Sequence, residues 1–111
     1  MSMSEASTTP GQAVSHGRIV EYTFSAGDAP PGAAEGDRRA AVIVRVWSPE
    51  AAGNGCANLL VFLDGENDVP VPPGAPSQDA AGQIAAAMAW MTSRTFDPDG
   101  APGTWRWPTR V

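Results

Sequence analysis

The chain has 111 residues, seven Arg and no Lys against twelve acidic residues, and a net charge of −5. That length holds one hydrophobic core. The charge balance offers no basic patch to grip phosphates, which argues against direct nucleic-acid binding and against an anionic membrane surface. One cysteine, Cys56, and one histidine, His16, leave no internal disulfide, no Cys–His pair in the folded part and no histidine cluster for zinc.

Met1 to His16 is Ser, Thr, Ala, Gly and Pro with almost no large apolar residue. It reads as a flexible arm (1–16) ahead of a single β-rich domain (17–111). No basic, apolar leader is visible, and no apolar run approaches the length of a membrane span. Gly17 to Phe24 comes next, where Val20, Tyr22 and Phe24 alternate with Ile19, Glu21 and Thr23. That is a strand with one apolar face. Ser25 to Arg39, with its Gly-Pro clusters, is a long loop. Ala40 to Ser48 is the clearest strand, rich in β-branched residues and apolar on both faces. Strict alternation puts Val42, Val44 and Val46 on one face and Ala41, Ile43, Arg45 and Trp47 on the other.

Pro49 to Gly55 reads as a turn, and Cys56 to Leu63 as the strand that pairs back in a hairpin. Cys56 is expected to be a small buried residue at a strand start. Asp64-Gly65 signals a turn, made acidic by Glu66 and Asp68. Its acids lack the Gly and Glu spacing of a calcium loop, so a solvated turn capped by its own Asp and Asn side chains is expected. Val69 to Pro76 carries four prolines and no regular structure. Ser77 can cap a short helix at about 78–86, with Asp79 in its first turn and Ala81, Ile84, Ala85 and Met88 on one face. Met88, Trp90, Thr92, Arg94 and Phe96 then alternate as a strand at about 88–96. After the Asp97–Gly100 turn, Thr104 to Trp107 forms a last strand that Pro108 ends. Trp105 and Trp107 share one face of it, and Thr104 and Arg106 the other. Trp47 and Trp90 are the expected packing partners of the two terminal indoles.

These elements predict a mainly β fold: a small, partly open, SH3-like barrel of about five strands with a short helical insertion. A small β-sandwich is the alternative.

Four stretches carry a resemblance. Gly17-Arg18-Ile19-Val20 with Tyr22, Ala41 to Trp47, Asn58 to Asp68, and Gly103-Thr104-Trp105-Arg106-Trp107-Pro108 together resemble a family of small uncharacterised phage and prophage proteins. Its members carry an "RVW" strand, a "VNLQVF-DG-ND" strand-turn and a terminal "GTWHWP". The likeness spans about residues 17–110. Two departures stand out: Arg106 replaces a common His, and Val69 to Ala87 looks like an insertion. The family supplies no activity to carry over. The resemblance implies a phage or prophage origin and a place in the virion or the host cytoplasm.

The acids lie mainly in turns, and no phosphate-cradling loop is present, so no catalytic residue, cofactor or metal ligand is assigned. Aromatic residues beside arginine are hot-spot chemistry, which makes Arg45, Trp47, Trp105, Arg106 and Trp107 the candidate interaction surface. The expected function is non-enzymatic: a virion-associated structural or decoration component working through protein–protein contacts, as a homo-oligomer or lattice. The alternative is an infection-stage binder that inhibits a host factor or sequesters a small ligand.

Overall fold

The computed structural model describes residues 14–48, 55–76 and 79–108. Five strands, β1 (Ile19–Thr23), β2 (Arg38–Ser48), β3 (Cys56–Phe62), β4 (Met88–Phe96) and β5 (Thr104–Arg106), form a closed barrel with two short helices, α1 (Gly65–Asp68) and α2 (Ala80–Ala85). The first four strands are an antiparallel meander. The short β5 closes it, pairing antiparallel with β1 and parallel with β4. Closure removes both sheet edges, which rules out the sandwich and seals the barrel that the sequence suggested was partly open.

The interior is filled by side chains from every strand. Val20 and Tyr22 of β1 with the adjoining Phe24, Ala41 and Ile43 of β2, Ala57, Leu59 and Val61 of β3, Met91 of β4 and Trp105 of β5 make one cluster. The period-2 pattern of β1 works as read: Val20, Tyr22 and Phe24 all point in. Val14 joins the same cluster, and the Gly17 N–H donates to the Ile43 carbonyl at 2.6 Å. The folded body thus reaches back into the last three residues of the expected arm, while residues 1–13 of that arm lie outside the described residues.

β2 departs from strict alternation. Its register against β3 shifts between Ile43 and Arg45 and again between Val46 and Ser48. Each shift adds one residue to β2, and one added residue inverts the facing of the residues beyond it. Val42 and Val44 face out by alternation from the inward Ala41 and Ile43, and beyond them the inversion turns Val46 toward the core and Arg45 and Trp47 outward, so Val42, Val44 and Val46 do not share a face. A third shift, against Ala57–Leu59, adds a residue to β4. Ser93 stands there with φ of 54°. The alternation from Met88 to Phe96 breaks at that point: Met88 and Trp90 face out, and Arg94 and Phe96 are half-buried.

The insertion between β3 and β4 holds the two helices. Asp64-Gly65 opens the single turn α1 rather than a hairpin loop. α2 is capped by Asp79, whose side chain accepts from the Gly82 N–H at 2.8 Å; Ser77, the expected cap, lies outside the described residues. No residue within α2 is buried, and Ile84 is 59% exposed, so the apolar face expected from Ala81, Ile84 and Ala85 has nothing to cover. The Pro49–Gly55 turn lies outside the described residues, except for Gly55. Cys56 does open β3, as a free and half-buried thiol.

Candidate functional site

The bulges decide where the aromatic residues go. Trp105 is fully buried. Its indole meets Phe96 edge-on at 5.0 Å and Trp107 at 5.3 Å, and its Nε1 donates to the Arg94 carbonyl at 3.2 Å. Trp107 is half-buried under the Arg18 guanidinium, 5.2 Å from the ring centroid. Arg106 turns the other way and holds Glu21, its cross-strand neighbour, at 2.9 Å. Trp47 and Trp90 do not pack on the terminal indoles as expected: both stand on the outside of the barrel, 50% and 52% exposed.

The five residues singled out from the sequence therefore separate into two groups. Trp105, Arg106 and Trp107 close the barrel at the β1–β5 seam. Arg45 and Trp47 belong to the outer face of β2. There the Arg45 guanidinium stacks on the Trp47 ring at 4.0 Å, and the Trp47 Nε1 donates to Asn58 Oδ1 at 2.8 Å. The same oxygen accepts from the Ser93 N–H at 2.8 Å. Asn58 faces outward from β3, between the bulged stretches of β2 and β4, and joins them through one amide oxygen. Few features of the sequence mark it, because bulges are set by register and not by residue type.

From Asn58 the outer face continues as apolar side chains. Leu60 is the register partner of both Val42 and Trp90, and Phe62 is the partner of Met88. Ile19, opposite Val42 on β1, extends the row. Ile19, Val44, Phe62 and Met88 are 40–51% exposed. Contiguous apolar surface of this kind on a small protein marks a docking site more often than a bare solvent face. Arg45 stands at one end of this surface, and the exposed acids Asp64 and Glu66 come after Phe62 at the other.

Most other charged groups described are committed to the fold. Asp68, expected in a solvated turn, is 2% exposed. It accepts from Arg39 Nε at 2.9 Å and Nη2 at 2.6 Å, and from the Asp64 N–H at 2.8 Å. The Arg39 hydrogen bonds hold its carboxyl below the usual range against the opposing effect of burial, and Asp68 in turn raises Arg39. Tyr22 donates to Asp28, which also takes Arg94 Nη2 at 3.2 Å. Burial, then the Asp28 hydrogen bond, pushes the Tyr22 phenol well above its ordinary value. A shallow recess of about 220 Å³ lies between β1 and β2, beside Glu21, Arg38, Arg39 and Pro108; Glu21 and Arg39 there are already paired. Among the described residues, no group of three or more His, Cys, Asp or Glu is placed to hold a metal ion, and no helix is long and apolar enough to cross a membrane.

Compared with known proteins, the chain matches no family model, no curated protein and no solved structure.

Proposed function

We propose that the chain is a non-catalytic docking module, a small structural component that works through protein–protein contacts on the outer face of β2, β3 and β4. One observation carries this reading: two half-exposed tryptophans, Trp47 and Trp90, stand on a face with the exposed apolar side chains of Val44, Phe62 and Met88. Trp47 is held in place by Asn58 and Arg45. An aromatic anchor fixed before binding loses little freedom when a partner arrives, and Trp beside Arg is the chemistry of interface hot spots. The barrel interior is filled by Trp105, Tyr22, Phe24 and Ile43, which favours work on the outside.

We read the barrel as SH3-like; a four-stranded meander closed by a short fifth strand, with a long β1–β2 connection, supports that assignment. The sequence resemblance to small phage and prophage proteins supports a virion as the assembly, with the module as a decoration or connector component. Mass spectrometry of purified virions of the encoding phage tests this. The chain is expected at a fixed copy ratio to the other virion proteins, and Trp47→Ala with Trp90→Ala should lower its incorporation. Absence from virions would overturn the virion role and leave the infection-stage binder.

A further inference from the structure

We infer that Tyr22 and Arg94 form a binding site for a small carboxylate, closed in this structure by Asp28 of the chain's own β1–β2 connection. The site does not draw on the residues of the docking face, and either can exist without the other.

Tyr22 on β1 and Arg94 on β4 meet at one carboxylate. The Tyr22 hydroxyl and Arg94 Nη2 both donate to Asp28 Oδ2, the latter at 3.2 Å, and the Ser25 N–H donates to Oδ1 at 2.7 Å. The two strand donors have supports other than Asp28. Tyr22 is fully buried. The Arg94 guanidinium lies 5.8 Å from the Tyr22 ring centroid, Nη2 also reaches Met91 Sδ at 3.7 Å, and the Arg94 carbonyl takes the Trp105 indole N–H. Donors held by the barrel wall before a ligand arrives lose little freedom on binding.

Asp28 fills this site incompletely. Arg94 Nε is buried and has no hydrogen-bond acceptor among the described residues. A guanidinium commonly gives a carboxylate two parallel bonds. The same chain holds the complete version: Asp68 takes Arg39 Nε at 2.9 Å with one oxygen and Nη2 at 2.6 Å with the other. The second oxygen of Asp28 is instead turned to the Ser25 N–H at the root of its own loop. A carboxylate free of that loop can set one oxygen on Nε and the other on Nη2 and the Tyr22 hydroxyl. Leaving a buried donor without an acceptor is costly, and the exchange removes that cost.

The site also has a way in. The Arg94 and Asp28 side chains are 32% and 13% exposed. The connection that carries Asp28 packs two small side chains, Ala29 and Ala33, on the core, and the Gly32 N–H ties it to the Asp68 carbonyl. A segment with few buried apolar contacts opens more readily than the sheet beneath it. One guanidinium balances one negative charge, which favours a monocarboxylate over inorganic phosphate.

Nuclear magnetic resonance of the full chain in sodium acetate tests the site, with sodium chloride at equal ionic strength as reference. Acetate should shift the wild-type Arg94 Nε–H resonance along a saturating curve, and hydrogen exchange at the Ser25 amide should quicken as Asp28 leaves. Asp28→Ala removes the tethered competitor, so it should half-saturate at a concentration at least about ten-fold lower. Its melting temperature should rise with acetate, and with formate, which matches the lost carboxylate in size. Adding Arg94→Gln should abolish that rise. If Asp28→Ala does not fold, Asp28→Asn, which keeps the size without the charge, is held to the same comparisons. A wild type that answers acetate no differently from chloride up to about 0.5 M overturns the site. So does an Asp28 variant no tighter than wild type, or a stabilisation that survives Arg94→Gln. A phosphate shift as large as that of acetate overturns the carboxylate as ligand.

Discussion

Asn58 shows how much one polar atom can organise in a barrel this small. Its Oδ1 satisfies the Ser93 N–H, in a stretch of backbone forced to positive φ, and fixes the Trp47 indole. Asn58→Ala removes both acceptor contacts and should lower stability by about 1–3 kcal/mol in urea unfolding, with the Trp47 emission shifting as the ring is released. Asn58→Asp keeps an acceptor oxygen and should be milder; equal losses would show that the amide oxygen is not what matters. Tyr22 is a second test at this scale, since it is the only tyrosine. Its folded pKa is raised above the unfolded value of about 10, so its contribution is complete below that pH. The unfolded state then releases the proton first, and the contribution is lost as pH rises through the folded value. The melting temperature should fall progressively above about pH 10. Phenolate absorbance should appear only as the barrel unfolds, and Tyr22→Phe should remove the part of the alkaline decline that the phenol causes.

The elements separate what a sequence shows from what it hides. The apolar alternation of β1, the hairpin of β2 and β3 and the strand at Met88–Phe96 were legible because each pattern reports local facing. The bulges were not, because an extra residue is defined only against the partner strand. They turn Arg45 and Trp47 outward and bring Val46 in, which sets the facing of two of the five candidate surface residues. The Arg39–Asp68 pair was hidden for a similar reason: its partners are 29 residues apart. It pins the α1 turn to the start of β2. Close by, the Gly32 N–H donates to the Asp68 carbonyl at 2.7 Å, and a Cβ on Gly32 would meet the Asn67 carbonyl oxygen at 2.0 Å. Gly32→Ala must push the two segments apart, at about 1–3 kcal/mol by thermal unfolding. Asp68→Asn should lose about 1.5–3 kcal/mol at neutral pH. The Asp68 carboxyl is depressed in the folded state, so its contribution is present above the unfolded pKa of about 4 and is lost as pH falls through the folded value. The acid decline of the wild type should therefore be steeper than that of Asp68→Asn; parallel curves would rule out this ion pair as a source of acid sensitivity.

At the scale of the whole molecule, closure and docking use different tryptophans, and the sequence could not sort them. Trp105 and Trp107 are two residues apart beside a proline and Trp47 comes after a run of valines; composition alone makes each equally a core or a surface residue. The three-residue β5 settles the matter for Trp105, because only a large side chain at that position can reach Phe96 and seal the parallel seam with β4. Removing it should cost about 3–5 kcal/mol, a large share of the roughly 5–15 kcal/mol typical of a domain. Trp105→Ala is expected to unfold, or nearly so, under conditions where Trp107→Ala remains folded. The division has an optical consequence that needs no unfolding. Iodide reaches only indoles in contact with solvent, so the quenchable emission should come mainly from Trp47 and Trp90, each half-exposed. Trp47→Phe with Trp90→Phe should leave a folded protein whose emission iodide quenches much less, the remainder coming from half-buried Trp107. Trp107→Phe should leave the quenchable part largely intact. Quenching that survives Trp47→Phe, Trp90→Phe and Trp107→Phe together would place Trp105 within reach of solvent and the barrel seam open.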